Sequence, residues 1–187
     1  MDKDLKKRFP LAMTLTLFRI VLTFPILLLA QYQNVTYSWW AISLFILASV
    51  TDYWDGYFAR KWNQVSNLGK FLDPVADKIL VSALLILLAS QQKVDIWIVI
   101  LFITRDTVVG AVRAAAASDG IVISAHTTGK WKAALQMFSI PFILTQEPLF
   151  GYDANRIGYF LLWFSVILSL LSGWQYLNLY VSQRPKV

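Results

Sequence analysis

The sequence has 187 residues, of which 57% are hydrophobic and 15% charged, and its net charge at pH 7 is +6. Its mean hydropathy of +0.55 is too high for an ordinary soluble domain, so the composition indicates a membrane protein. The absence of cysteine excludes disulfides and thiolate metal sites. In so apolar a chain the positive charge indicates contact with anionic lipid headgroups or substrates, and no segment resembles a nucleic-acid-binding module.

Six apolar segments follow one another along the chain, each close to the 20 or so residues that a membrane-spanning helix needs. In order they are residues 11–31, 38–60, 73–91, 95–117, 128–146 and 157–182. Short polar stretches separate them, and tryptophan and tyrosine lie near several of their ends, as at the interfaces of a bilayer. The sequence therefore predicts an all-α polytopic membrane protein with six transmembrane helices and a single domain over residues 1–187.

Lysine and arginine predict the orientation, because they favour the cytoplasmic side of short loops. Under the six-helix arrangement twelve basic residues fall on one side of the membrane, against only Lys93 and Arg156 on the other. Both termini are therefore expected on the cytoplasmic side. Residues 2–8 are predicted to form a short helix that lies on the membrane surface. The residues from 114 to 120 are predicted as part of a loop between the fourth and fifth helices.

Four aspartates lie at the cytoplasmic ends of the second and third predicted helices. Asp52 and Asp55 are three residues apart, which places them on one face of the second helix. Asp73 and Asp77 are four residues apart on the third helix, where Pro74 is expected in the first turn. Carboxylates this close in a partly dehydrated site repel one another unless cations neutralise them. Because the donors are all oxygen atoms, the pattern indicates Mg²⁺ or Mn²⁺ rather than Zn²⁺.

Small residues accompany the four acids. Gly56, Ala59 and Gly69 leave room for a planar or phosphate-bearing ligand to approach the backbone. Small residues at this spacing are equally typical of tight packing between membrane helices, so by themselves they do not decide between the two interpretations. For the aspartates, the alternative is a solvated helix end, whereas ionisable clusters inside a membrane are usually functional.

The acids and small residues together form the string D52-x2-D55-G56-x2-A59-R60-x8-G69-x3-D73-x3-D77. This string matches the signature of the CDP-alcohol phosphotransferases, integral membrane enzymes that the chain also resembles in length and in its six-helix layout. The resemblance implies a site for two Mg²⁺ or Mn²⁺ ions held by Asp52, Asp55 and Asp73. It implies that Asp77 is both an adjacent metal ligand and the general base, and that the protein is a homodimer.

The same resemblance implies where the CDP group of the donor binds. It packs against the small residues of the signature, beside two of the acids and one arginine. These residues are Asp52, Gly56, Ala59, Arg60, Gly69 and Asp73.

A second charged region is predicted from the fourth and fifth helices. Arg105 and Arg113 are eight residues apart on the fourth helix, and Lys130 and Lys132 open the fifth. Four cations converging at the cytoplasmic ends of neighbouring helices suit the phosphate of a phosphorylated alcohol. Each lysine has the alternative role of a headgroup anchor, whereas Arg105 interrupts an apolar run.

Three further stretches are similar to bacterial phosphatidylglycerophosphate synthases, a branch of the same family. They are LTLFR at residues 15–19, which marks Thr16 and Arg19 as supporting residues, TRDTVVGAVR from Thr104, and TGKWKAALQM from Thr128. One departure is PLA at residues 10–12, where that branch usually has Asn-Ile-Pro, so any role of the asparagine is absent or replaced. This resemblance implies a bacterial inner membrane, with the active site on the cytoplasmic face.

The predicted reaction transfers the phosphatidyl group from CDP-diacylglycerol to sn-glycerol 3-phosphate, giving phosphatidylglycerol phosphate and CMP. Within the family the alternative acceptors are inositol phosphate, serine and phosphatidylglycerol. A divalent-cation transporter is the alternative from another class, but its acids are expected at several depths in the membrane and not at one end. A pure scaffold protein leaves the fixed spacing of the signature unexplained.

Overall fold

Helices make up the regular structure of the residues that the computed structural model describes, which are 11–61, 67–119, 127–149 and 151–183. The side chains of residues 11–16, 52–61, 67–75, 77 and 127 lie outside this description. Within it the helices are α1 (Leu11–Gln31), α2 (Val35–Lys61), α3 (Asn67–Ser90), α4 (Ile96–Ser118), α5 (Thr127–Leu144) and α6 (Ala154–Gln183). The all-α prediction is confirmed, whereas the surface helix predicted at residues 2–8 falls outside the described residues.

Two helices begin earlier than predicted because polar side chains cap their first turns. The side-chain oxygen of Asn34 accepts a hydrogen bond from the backbone N–H of Thr36 at 2.9 Å, so α2 begins at Val35 and not at residue 38. A carboxylate oxygen of Asp153 likewise accepts from the N–H of Arg156 at 3.4 Å, and α6 begins three residues before the predicted start. Capping satisfies donors that apolar patterning does not register.

Two other boundaries also differ from the prediction. Helix α3 begins at Asn67, six residues early, so Pro74 lies beyond the first turn in which it was expected. Helix α4 continues to Ser118, so residues 114–117 are helical and not part of a loop. Residues 114–117 are alanines, which favour the helical state, so the helix continues beyond its last large apolar residue.

The end of α3 has a Schellman motif built without glycine. The backbone N–H of Lys93 donates to the carbonyl of Leu88 at 3.0 Å. The N–H of Gln92 donates to the carbonyl of Ala89 at 3.0 Å, and Gln92 has the left-handed φ of 60° that this motif requires. The carbonyls of the last turn are thus paired, and the chain turns directly into α4.

The chain divides into two compact units. The first consists of Met1–Leu87 and Leu144–Phe150, and the second of Leu88–Ile143 and Gly151–Val187. In the first unit α1 packs along α2, and in the second α4 packs along α6. The four signature aspartates belong to the first unit, and the four predicted phosphate-binding cations to the second.

Helices α4 and α6 run in the same direction. Arg105 on α4 hydrogen-bonds the backbone of Ser169, and Arg113, two turns later, hydrogen-bonds the side chain of Tyr176. The residue numbers of α4 and α6 therefore rise in the same direction along the pair. A hydrogen bond from Tyr180 to Asp119 continues the same order.

Helix α5 runs opposite to α6. Its first turn contacts the late part of α6, where the hydroxyl of Thr128 donates to the Gln175 side chain at 2.9 Å. Its last turn, at Ile143, lies against Gly158 in the first turns of α6. The three helices of the second unit therefore alternate in direction, as successive membrane spans do.

Helix α6 places small and polar residues inside and large apolar residues outside. Its buried residues are Ala154, Gly158, Leu162, Ser165, Val166, Ser169, Ser172, Gly173 and Tyr176. Its exposed large hydrophobic residues are Ile157, Phe160, Phe164, Ile167, Leu170, Leu171, Trp174 and Val181. This arrangement is typical of helices that pack through small residues and face lipid.

Length and composition give one clear membrane-spanning candidate in the described part of the chain. Helix α6 is long and apolar enough to cross a bilayer. Shorter apolar stretches occur at Leu17–Gln31, Val35–Thr51 and Lys78–Ser90. The six-span arrangement predicted from the sequence is thus not established by the helices that the structure describes.

Gly158 is a point of close approach between α6 and α5. A Cβ atom added there would lie 2.6 Å from Cγ1 of Ile143, 2.8 Å from the carbonyl oxygen of Ser139 and 2.9 Å from the backbone nitrogen of Ile143. Because two of these atoms are backbone, relieving the overlap requires the helices to separate. We expect Gly158→Ala to lower the free energy of unfolding by about 1–3 kcal/mol, measured as a lower Tm in detergent.

Gly173→Ala on the same helix is the matched control for this prediction. A Cβ atom there would meet its nearest neighbour, Cγ of Arg105, at 3.4 Å, which is an ordinary van der Waals contact. Its Tm should stay within about a degree or two of the wild-type value, given how Tm scales with small free-energy changes. Equal losses of Tm in the two variants would contradict the close-approach explanation.

Candidate active site

The predicted metal and CDP site falls on two consecutive helices of the first unit. Helix α2 extends to Lys61 and α3 begins at Asn67, so each fixed residue of the signature has a helical backbone. The side chains of the signature lie outside the described ones, and their roles in metal, CDP and proton binding stay predictions. These residues are Asp52, Asp55, Gly56, Ala59, Arg60, Gly69, Asp73 and Asp77. Among the described side chains, no group of three or more histidine, cysteine, aspartate or glutamate residues could hold a metal ion.

The predicted supporting residues lie on α1. Arg19 is buried, with 2% of its surface exposed, which is unusual for an arginine in an apolar helix. The hydroxyl of Thr23 donates to the carbonyl of Arg19 at 3.0 Å. The side chain of Thr16 lies outside the described ones. Arg19 is therefore not a lipid-facing residue, and its supporting role stays a prediction.

Arg105 and Lys132, two of the four predicted phosphate-binding cations, meet at one carboxylate, that of Asp106. The Lys132 ammonium nitrogen lies 2.8 Å and 3.0 Å from the two carboxylate oxygens. The Nη1 atom of Arg105 lies 2.8 Å from Oδ1 of Asp106, and its Nε donates to the carbonyl of Ser169 at 2.8 Å. We call Arg105, Asp106 and Lys132 the charged cluster.

The charged cluster is largely shielded from solvent. The side chains of Arg105, Asp106 and Lys132 are 12%, 21% and 8% exposed, respectively. The Lys132 ammonium also lies 5.2 Å from the centre of the Phe102 ring, which adds a cation–π contact. The three side chains, two cations and one anion, have a formal charge of +1 in a setting where charges are weakly screened. A positive formal charge is the property predicted for a site that binds a phosphate.

The position of the charged cluster along α4 differs from the prediction. Arg105 was expected near the cytoplasmic end of its helix, but α4 runs from Ile96 to Ser118 and Arg105 lies near its middle. On α5, in contrast, Lys132 lies in the second turn after the start at Thr127. The two helices run in opposite directions, so the C-terminal end of α4 and the start of α5 lie on the same side of the cluster. On that side α4 extends twelve residues beyond Asp106, whereas α5 extends only five residues beyond Lys132.

The other two predicted cations are placed differently. Arg113 donates a hydrogen bond from Nη2 to the hydroxyl of Tyr176, and its guanidinium carbon lies 4.7 Å from the centre of that ring. Arg113 is about 12 Å along α4 from Arg105, at 1.5 Å per residue. Lys130 is exposed and precedes Lys132 by two residues, so it projects from another face of α5. The structure thus brings together Arg105 and Lys132 and separates Arg113 and Lys130 from them.

Asp106 is the member of the charged cluster that the sequence reasoning missed. A signal was present, because Asp106 directly follows Arg105 within an apolar run, and ionisable residues there are usually functional. The partners Ser169 and Tyr176 gave no such signal, since serine and tyrosine are ordinary residues in the apolar α6.

The second unit also has a cavity of about 560 Å³ beside the start of α4. Two acidic residues lie beside its lining residues: Arg156 pairs with Asp153 at 3.3 Å, and the hydroxyl of Tyr159 donates to Asp95. Burial lowers the pKa of the Lys93 ammonium in its wall. This balance of charge distinguishes the cavity from the charged cluster. The lining residues are Gln92, Lys93, Asn155, Arg156, Tyr159 and Phe160.

Comparison with known proteins gives matches over most of the chain. The sequence profile of the CDP-alcohol phosphatidyltransferase family matches residues 9–171. A Bacillus subtilis (strain 168) protein is 42% identical over 135 residues, which are 72% of this chain and 70% of that protein. A Haemophilus influenzae protein is 37% identical over 177 residues, covering 91% and 93%. A Rickettsia bellii protein is 34% identical over 164 residues, covering 87% and 90%. All three are named CDP-diacylglycerol--glycerol-3-phosphate 3-phosphatidyltransferase.

Proposed function

We infer the function of this chain from its family: it belongs to the CDP-alcohol phosphatidyltransferases, as its signature predicted. We propose that it transfers the phosphatidyl group from CDP-diacylglycerol to sn-glycerol 3-phosphate, giving phosphatidylglycerol phosphate and CMP. This is the reaction for which its relatives from Bacillus subtilis and Haemophilus influenzae are named. The chain is accordingly a transferase of phospholipid biosynthesis.

The charged cluster is the structural observation that carries the choice of acceptor. Arg105 and Lys132 come from different helices and converge on one carboxylate, which leaves an excess positive charge in a shielded site. A phosphorylated alcohol has a phosphate group that complements this charge, whereas serine and other unphosphorylated acceptors do not. The charge therefore favours glycerol 3-phosphate over the unphosphorylated alternatives.

The donor atoms of the signature fit a divalent cation. All four are carboxylates on the helical backbones of α2 and α3, without nitrogen or sulfur donors among them. In this proposal Asp52, Asp55 and Asp73 hold two Mg²⁺ or Mn²⁺ ions, with Asp77 adjacent. When bound, the ions supply charge neutralisation of the pyrophosphate and polarisation of its phosphorus.

The remaining chemistry belongs to the side chains of the chain. Asp77 accepts the proton of the primary hydroxyl of glycerol 3-phosphate as its oxygen attacks the lipid-side phosphorus. A new oxygen–phosphorus bond forms, the bond to the CMP oxygen breaks, and CMP leaves. Arg105 and Lys132 bind the acceptor phosphate and so orient the hydroxyl. The CDP group lies along Gly56 and Gly69, where small residues leave room for it.

We further propose that all six helices span the membrane and that the protein acts as a homodimer in a bacterial inner membrane. Each helix exposes at least one large apolar side chain, which a lipid environment would cover. Examples from α1 to α6 are Phe24, Trp40, Ile86, Trp97, Phe138 and Phe160. The alternating directions of α4, α5 and α6 support successive crossings, and the homodimer rests on the family resemblance alone.

The absence of cysteine from the chain permits a direct test of the orientation. Gln92 and Ser118 lie at opposite ends of α4, and both are exposed. We expect Gln92→Cys to react with a membrane-impermeant maleimide in right-side-out vesicles, and Ser118→Cys to react only after permeabilisation. The cysteine-free parent is the control for labelling. Reaction of both cysteines from the same side would contradict a membrane-spanning α4.

A product assay tests the proposed reaction. Purified protein is incubated with labelled CDP-diacylglycerol and, in turn, sn-glycerol 3-phosphate, inositol phosphate, serine and phosphatidylglycerol, each with and without Mg²⁺. We expect phosphatidylglycerol phosphate and CMP from glycerol 3-phosphate only, and only with the metal. Preferred transfer to another alcohol would overturn the proposed acceptor and keep the family chemistry.

Arg105 should be required for acceptor binding. Replacing Arg105 with glutamine removes a charge-assisted contact to the phosphate, and we expect kcat/KM for glycerol 3-phosphate to fall roughly 10- to 150-fold. Arg105→Lys should recover only part of this loss, because an ammonium lacks the planar fork of the guanidinium. The measurement is steady-state kinetics with each substrate varied in turn.

The control for Arg105 is Arg156→Gln, which removes an exposed arginine of the same unit that pairs with Asp153. Its acceptor kinetics should match the wild type. An unchanged acceptor KM in Arg105→Gln would refute the phosphate site and favour an unphosphorylated alcohol.

A further inference from the structure

We propose that Asp106 is a positioning residue for the acceptor: its carboxylate holds the Arg105 guanidinium and the Lys132 ammonium in the arrangement that binds the phosphate of the phosphorylated alcohol. This inference rests on the proposed function, because it concerns the second substrate of that reaction. Asp106 itself does not touch the reacting atoms. It acts through the two cations that it holds.

The contacts of Lys132 show the first part of this role. Its long side chain comes from α5, and both oxygens of Asp106 on α4 receive its ammonium, at 2.8 Å and 3.0 Å. A lysine side chain loses much of its rotamer entropy when it is held in one position. Asp106 makes that ordering part of the folded structure, so the acceptor does not have to impose it on binding.

The contacts of Arg105 show the second part. Two of the three guanidinium nitrogens are held by hydrogen bonds: Nε donates to the carbonyl of Ser169 and Nη1 donates to Asp106, both at 2.8 Å. Its Nη2 makes no hydrogen bond to the residues that the structure describes. A guanidinium is planar and rigid, so fixing Nε and Nη1 also fixes the direction of the N–H bonds of Nη2. The Nη2 edge is therefore directed in advance towards a ligand.

Gly173 on α6 also helps to hold the Arg105 side chain in place. A Cβ atom at this buried position would lie 3.4 Å from Cγ and 3.5 Å from Nε of Arg105. The arginine side chain thus lies directly against the backbone of α6 at Gly173. The backbone contact and Asp106 leave the guanidinium little freedom to rotate.

The loss of the Asp106 carboxylate has two opposite expected effects on binding of the acceptor phosphate, one from charge and one from hydrogen bonding. Removing its charge makes the cluster more positive, which favours an anion, but it also removes the carboxylate charge that offsets the repulsion between the two cations. In Asp106→Asn, moreover, one oxygen becomes an NH₂ group that faces the Lys132 ammonium, and two donors cannot bond. We expect the loss of position to dominate, because a phosphate is bound through directed hydrogen bonds.

The test compares Asp106→Asn and Asp106→Glu with the wild type. The KM for sn-glycerol 3-phosphate should rise roughly tenfold or more in Asp106→Asn, the size expected for hydrogen bonds to a charged group. The KM for CDP-diacylglycerol should stay within about twofold, since the donor site lies on other helices. Asp106→Glu keeps the charge on a longer stem, so its acceptor KM should lie between the other two.

Two variants control for a purely structural role. Asp95→Asn removes another carboxylate contact between α4 and α6, the one with Tyr159, at the far end of α4. Ser165→Ala removes the hydrogen bond from α6 to the backbone carbonyl of Lys132. Both should leave the acceptor KM unchanged even if they lower the Tm. A rise in acceptor KM that simply follows the loss of Tm across all these variants would overturn the proposal.

Asp106→Glu also serves if Asp106→Asn does not fold. An acceptor KM raised in Asp106→Glu, at a Tm near that of the wild type, supports positioning. A wild-type acceptor KM in Asp106→Glu, or in a folded Asp106→Asn, overturns it.

Thermal melting with inorganic phosphate separates this inference from the proposed reaction. Phosphate should raise the Tm of the wild type by mass action and raise that of Asp106→Asn much less. If the wild type makes no phosphatidylglycerol phosphate yet shows this difference, the reaction is wrong and the role of Asp106 stands. If the wild type makes the product and phosphate stabilises both proteins equally, the reaction stands and the role of Asp106 is overturned.

Discussion

Protein stripped of divalent cations should lose phosphatidyl transfer almost completely, and Mg²⁺ or Mn²⁺ should restore it. In the proposed site, four carboxylates from the end of α2 and the first half of α3 would repel one another without a cation, and the pyrophosphate of the donor would add further negative charge. Loss of one such electrostatic stabiliser typically lowers turnover by roughly 10² to 10³. The measurement is product formation after dialysis against a chelator, followed by titration with each metal.

Substitution of the proposed metal ligands should lower phosphatidyl transfer partially instead of abolishing it. In Asp52→Asn, Asp55→Asn and Asp73→Asn the amide keeps the shape of the side chain but loses the charge that holds the ion. We expect each to raise the Mg²⁺ concentration needed for half-maximal activity and to lower turnover at saturating Mg²⁺. Asp153→Asn changes an exposed aspartate just before α6; it is the matched control and should titrate like the wild type. Full activity in excess chelator would rule out the metal site.

Asp77→Asn should lower turnover by on the order of 10² or more, because general bases contribute about that much. Asp77 lies one turn after Asp73 on α3, beside the proposed metal ligands. Binding of CDP-diacylglycerol should be less affected, since other residues of the signature are proposed to contact the nucleotide. The measurement combines single-turnover kinetics with direct binding of the donor.

The outcome for Asp77 separates two roles. Weak turnover with normal donor binding and a normal Mg²⁺ titration indicates a base. Weak turnover with a shifted Mg²⁺ titration indicates a metal ligand. Near wild-type turnover with normal donor binding would exclude Asp77 as an essential base. Asp119→Asn, which removes a surface partner of Tyr180, controls for general effects of losing an aspartate.

The helices and the family could be predicted from the sequence because both depend on local patterns. Long apolar runs hide their backbone only as helices, which gave α1 within its observed bounds Leu11–Gln31. The signature has fixed spacings along two helices, so its identification required no knowledge of how they pack. Helix ends were predicted less well. They depend on single capping groups such as Asn34 and Asp153, which a hydrophobic average does not register.

The sequence by itself determined which residues are candidates for binding an anionic acceptor, since Arg105 stands out in an apolar run. Only the tertiary structure decided which of these cations lie together. Lys132 reaches Asp106 from another helix, whereas Arg113 turns to Tyr176, although both cations had been assigned to one site. Long flexible side chains on different helices meet through packing and not through spacing along the chain. The contact between Lys132 and Asp106 therefore depends on how α5 lies beside α4, which the spacing of residues along the chain does not indicate.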